Sequence, residues 1–152
     1  MGKLSKSDSQ RLQSLLRTSI LGIESYNRLI RDVKAESIVR RFRSYGSDYA
    51  EFASEISNVM ESHGVTPTKS SGTVGMMAGM SYKMLGIDHS DTLRMLEAAY
   101  KGEMRSVEKA TKLYAESDNE EVKHLIAKNL AASKRRMEEL MKLILSYEAE
   151  NE

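Results

Sequence analysis

At 152 residues the chain suits one domain with a real core and leaves no room for a second. Its 40% apolar and 30% charged composition, with one proline and only seven tyrosines and two phenylalanines as aromatics, describes a soluble helical protein better than a sheet or a disordered chain. A net charge of +1 excludes a global field that would recruit nucleic acid or an anionic membrane, and the lack of cysteine excludes disulfides, thiol catalysis and thiolate metal sites, which suits a cytoplasmic address.

The first residues hold no apolar signal segment, and Lys6 stands where a myristoylation signal wants Ser or Thr. Ser7 with Gln10 then reads as a capping box, and Leu12, Leu16, Ser19, Ile23, Tyr26 and Ile30 recur at three- and four-residue steps, which predicts a first amphipathic helix. Between Asp32 and Ser37 there is neither glycine nor proline, yet the stripe restarts at Ile38 and runs through Phe42, Tyr45, Tyr49, Phe52, Ile56 and Val59. This second helix closes at Gly64, a good left-handed cap residue, with Pro67 just beyond. The short link makes the two helices an antiparallel hairpin.

A glycine- and methionine-rich connection follows, at about residues 64–90. Its most apolar stretch, residues 73–85, is broken by glycine and shorter than the roughly 20 residues that span a bilayer, so no membrane insertion is expected. Val74, Met77, Met80, Tyr82 and Met84, interspersed with glycine, predict a short apolar helix laid across the bundle flank. Covering the core is its plainest role; an oligomer contact through Met76, Met77, Met80 and Met84 is the functional one.

The third helix starts near Asp88 or Ser90, with the stripe Leu93, Leu96, Tyr100, Glu103, Val107, Ala110, Tyr114. Ser117 with Glu120 reads as the capping box of a fourth, with the stripe Val122, Ile126, Asn129, Ser133, Met137, Leu140, Ile144. Two hairpins of helices about 37 Å long, joined by a long link, predict an all-α four-helix bundle with one crossover rather than an up-down-up-down bundle, which would need only a few residues there.

Gly22 and Tyr26 as Gly-x-x-x-Tyr, the acid-rich aromatic run with Asp48, Glu51 and Phe52, the crossover Gly72-Thr-Val-Gly-Met-Met-Ala-Gly-Met-Ser-Tyr-Lys-Met-Leu-Gly86, and Gly102-Glu103 together form a recognisable pattern. In these features the chain resembles an uncharacterised bacterial ferritin-like family, catalogued as a domain of unknown function, over residues 12–144. The resemblance implies a single ferritin-like bundle domain across residues 1–152, with no agreed activity.

Ferritin-like di-iron proteins carry one Glu on each of two helices and a Glu-x-x-His on each of the other two. Here Glu24 lies one position off its stripe, Glu103 lies on its stripe, and Asp48 with Glu51 puts an acid where a histidine belongs. Around Lys134-Arg135-Arg136-Met137 no inward Glu-x-x-His can be written, and His63, His89 and His124 fall at helix ends. Glu103 is therefore expected to sit in a buried ion pair or hydrogen bond, for instance with Arg136 or Tyr26, in a polar layer with Asn129 and Ser133. The alternative is a four-carboxylate site of Glu24, Asp48, Glu51 and Glu103 for a hard cation such as magnesium or manganese.

His63 and His124 share one bundle end, where a surface zinc pair is weaker than solvated or capping roles. The basic groups Arg40, Arg41, Arg43 and Lys134, Arg135, Arg136 read as solvated faces, so no nucleic-acid partner is expected. The glycines at 72, 75, 79 and 86 lack a Gly-Lys-Ser/Thr ending, and no Gly-x-Ser-x-Gly elbow occurs. The leading expectation is a non-enzymatic structural or interaction bundle, a homo-oligomer without a cofactor and with a degenerate di-metal site; the alternative is a carboxylate protein binding iron or manganese, with oxidase or storage activity.

Overall fold

The computed structural model describes residues 4–70 and 92–150. These residues form four helices, α1 (Lys6–Asp32), α2 (Glu36–Ser62), α3 (Thr92–Glu116) and α4 (Glu120–Glu150). The crossover methionines Met76, Met77, Met80 and Met84, the short helix expected there, and His89 lie outside the described residues. No helix among the described residues is long and apolar enough to cross a membrane.

The helix ends correct two sequence expectations. α1 is capped by Ser5, whose hydroxyl accepts from the Asp8 amide at 3.0 Å, rather than by Ser7 with Gln10. Asn119 caps α4, its side-chain oxygen taking the Val122 amide at 3.1 Å. Ser117 instead donates to Asp8 across the bundle at 3.1 Å, tying the start of α1 to the α3–α4 turn. Gly64 ends α2 as expected: at φ 74° it lets its own amide reach Glu61 O and the Val65 amide reach Met60 O, the paired bonds of a Schellman cap.

Two apolar clusters define the topology. One joins Tyr26, Leu29 and Val33 at the end of α1 to Ile38 and Phe42 at the start of α2, Met95 and Leu96 at the start of α3, and Leu140 and Ile144 late in α4. The other joins Leu12, Leu15 and Leu16 to Ile56 and Met60, Leu113, and Val122 and Ile126. Hence α2 ends in one cluster and α3 begins in the other, at opposite ends of the bundle. This is the crossover topology expected from the length of the link. Each large aliphatic side chain so buried contributes roughly 1.5–3 kcal/mol.

Within α3 and α4 the inward face is turned slightly from the expected stripe. Ala99, Ser106 and Leu113 are buried where Tyr100, Val107 and Tyr114 were expected, and Tyr114 is 41% exposed. On α4 Arg136 is buried and Met137 is only half-buried. Hydropathy assigned the inward position to the methionine; the structure gives it to the arginine.

Candidate functional site

Between the two apolar clusters lies a polar layer at mid-bundle. α1 supplies Ser19, α2 Tyr49, α3 Glu103 and Ser106, and α4 Asn129, Ser133 and Arg136, all buried. Ser19 satisfies itself by donating to Leu15 O at 3.0 Å. The remainder is organised around Glu103, whose isolated burial as an anion would cost several kcal/mol.

Arg136 Nε donates to both Glu103 oxygens, at 3.0 and 2.8 Å. The Tyr49 hydroxyl donates to Glu103 Oε1 in a short bond and lies 3.1 Å from Oε2. Arg136 Nη2 continues to Ser133 Oγ at 3.1 Å, and Ser133 meets Ser106 at 3.1 Å. Nη1 faces Asp48 Oδ2 at 3.6 Å, and the guanidinium also lies over the Tyr49 ring, 4.2 Å from its centroid. One cation thus serves two carboxylates, a hydroxyl and an aromatic face.

The close packing of helices α1 and α2 depends on Gly22. A Cβ there would stand 2.7 Å from the Tyr49 ring, which is pinned by Glu103 and Arg136. The Tyr49 ring also stacks on Tyr26, with centroids 6.1 Å apart, and Tyr26 in turn meets Phe42 and Tyr45. Tyr26 Oη and Asn129 Nδ2 are buried with no hydrogen-bond partner among the described residues.

Burial pushes the Glu103 carboxyl above its ordinary 4.5, against the opposing pull of Arg136 and of the Tyr49 hydrogen bond. It likewise pushes the Tyr49 phenol up to about 12, with the Glu103 charge adding to the effect. Burial would lower Arg136, yet Tyr49 and Glu103 hold it above its ordinary value, so the guanidinium remains charged.

The sequence-predicted acids do not converge. Glu103 is in the layer; Asp48 is half-buried on the far side of Arg136, where Arg135 Nη2 also reaches it at 3.4 Å; Glu24 is half-buried on α1; Glu51 is exposed. Of the two partners considered for Glu103, Arg136 pairs with it and Tyr26 does not hydrogen-bond to it. Sequence reasoning missed Tyr49 and Ser106 as members of the layer. Tyr49 read as a core aromatic, and only its placement opposite Gly22 could have marked it. The basic run divides, with Arg136 inside, Arg135 on Asp48 and Arg41 beside Glu139 at 3.6 Å. At one bundle end His63 Nε2 meets Glu121 at 2.8 Å, while His124 is exposed.

A pair of metal ions held by carboxylates requires several acids with free oxygens facing a common point. Among the described residues no group of three or more His, Cys, Asp or Glu could hold a metal ion. Both oxygens of Glu103 already accept hydrogen bonds, and a charged guanidinium occupies the space between Glu103 and Asp48. The described residues do not fit a di-metal centre.

Fold and layer together define a ferritin-like four-helix bundle whose internal carboxylate is paired with an internal arginine. The chain belongs to the family described as Domain of unknown function (DUF2383), whose model matches residues 7–116. The match ends with α3, so Arg136 lies beyond it.

Solved structures share the fold. A hypothetical protein from Methanococcus jannaschii DSM 2661 superposes with a TM-score of 0.80 at 13% identity, over 97% of this chain and 85% of its own. A ferritin-like, diiron-carboxylate protein from Bacillus anthracis str. Ames gives 0.70 at 22% identity, over 93% and 99%. The dodecameric thioferritin, a bacterioferritin-related protein of Bacteroides fragilis, gives 0.77 at 14% identity, over 99% and 92%. No curated protein matches the chain.

Proposed function

We propose that the chain is a non-enzymatic ferritin-like bundle acting through its helix surfaces as a homo-oligomer, with a degenerate di-metal layer. One observation carries this reading: the acid on the core stripe, Glu103, is wholly engaged by Arg136 and Tyr49. A site so occupied offers a redox metal no free ligand, so the interior serves stability and the surface is left to serve function. The dodecameric assembly of the Bacteroides fragilis neighbour is in keeping with a homo-oligomer.

A second reading, carboxylate-type binding of iron or manganese with oxidase or storage activity, is favoured by the name of the Bacillus anthracis neighbour. The donor set weighs against it. Elemental analysis of the purified chain, together with aerobic iron(II) oxidation, separates the two. The lead reading expects no stoichiometric metal and oxidation no faster than in buffer. Near-stoichiometric iron or manganese, lost in Glu103→Gln, would establish the second reading instead.

A further inference from the structure

The outer face of α4 carries apolar side chains that are exposed among the described residues. Met141 is 36% and Leu145 57% exposed, with Met104 of α3 at 40% nearby in sequence to the groove residue Tyr100. Tyr100, Lys134, Met137, Glu138, Met141 and Lys142 line a shallow groove on this side. Met137, Met141 and Leu145 form one row at four-residue spacing, the ridge that helices use to pack on one another. Lys134 and Glu148, both exposed, stand seven residues to either side of Met141, about 10 Å along the axis.

This arrangement is self-complementary under a two-fold axis. With two α4 helices antiparallel and crossing at Met141, a residue n places after Met141 faces the residue n places before it in the other copy. Leu145 then meets Met137, and Lys134 meets Glu148, at both ends. Glu138 and Lys142 flank Met141 and bring an acid and a base to each side of the centre. A parallel pairing would set Lys134 against Lys134 and Glu148 against Glu148, so charge selects the antiparallel mode.

We infer that the Met137–Met141–Leu145 row of α4, bracketed by Lys134 and Glu148, is a two-fold interface with a second copy of this chain. The inference rests on the homo-oligomer reading above and names its surface. A contact limited to α4 and the edge of α3 falls at the small end of interface sizes, where association is weak and concentration-dependent.

Sedimentation velocity of the full chain over about 1–200 µM tests it, with far-UV circular dichroism confirming that each variant folds. Wild type should show a monomer–dimer equilibrium. Lys134→Glu and Glu148→Lys should each weaken it about tenfold, and their combination should restore most of the loss, because the reversed charges again meet opposites. Met141→Asp should leave a helical monomer. An oligomer indifferent to these four variants would overturn this interface while leaving the homo-oligomer reading intact. A wild type that stays monomeric throughout would overturn both.

Discussion

Arg136 Nε donates to both oxygens of Glu103 where the two side chains are 2% and 1% exposed, midway between the apolar clusters. Such a pair is more informative about what its loss does than about what it contributes. Removing one partner leaves an unpaired polar group or charge in the core, whereas replacing both with apolar groups removes the need for pairing. Arg136→Met or Glu103→Gln alone should therefore cost about 3–5 kcal/mol in urea unfolding. Glu103→Leu with Arg136→Met together should cost far less than the sum of the single changes.

Gly22 and Gly102 should behave in opposite ways. Gly22→Ala drives a methyl into the Tyr49 ring, 2.7 Å from its nearest carbons, and should cost about 1–3 kcal/mol despite alanine's better helix propensity. Gly102 has nothing within 4 Å of a built Cβ, so Gly102→Ala should stabilise by about 0.5–1 kcal/mol. Thermal melts of the two variants check both signs.

pH dependence follows from the raised carboxyl. Between pH 4.5 and its higher folded value, Glu103 holds a proton in the folded chain that the unfolded chain has lost. Its contribution is thus fully present below 4.5 and falls as pH rises through that window. Urea midpoints from about pH 4 to 8 should show a component of this slope that Glu103→Gln lacks.

At alkaline pH the same rule applies to the phenols. Burial raises Tyr26, Tyr45 and Tyr49 above their ordinary 10.0, Tyr49 to about 12, so the folded chain keeps these protons after the unfolded chain has released them. Stability should fall as pH rises above 10.0, and absorbance near 295 nm should show Tyr26, Tyr45 and Tyr49 keeping their protons in the folded chain beyond pH 10.0 and releasing them on unfolding.

Capping can be tested locally. Ser5→Ala and Asn119→Ala each remove a bond to a helix-opening amide and should cost about 1 kcal/mol. Ser7→Ala touches an exposed hydroxyl outside the cap and should fall within about 0.5 kcal/mol of wild type.

The bundle and its crossover were legible because helix periodicity, Gly64 and the length of the central link are all local signals. The caps were less so. Ser7 with Gln10 and Ser117 with Glu120 satisfy the sequence pattern, but Ser5 and Asn119 stand as close to the helix starts, and Ser117 is drawn away by Asp8, more than a hundred residues distant. In the site, Glu103 announced itself as an acid on an apolar stripe. Its partner could be named only as one of several, since Arg136 breaks the very periodicity by which inward positions are recognised. Tyr49 was invisible as a hydrogen-bond donor because its ring alone justifies its burial.

The Arg136 guanidinium occupies the buried space between Glu103 and Asp48 and holds the polar layer together. The most direct measurement is the thermal stability of Arg136→Ala with and without about 20 mM guanidinium chloride, against sodium chloride at equal ionic strength. Free guanidinium should raise the melting temperature of Arg136→Ala, leave wild type unmoved, and have no effect once Glu103→Gln is added. Arg136→Ala as stable as wild type, or equally indifferent to guanidinium and sodium, would mean that the guanidinium does not hold the layer together.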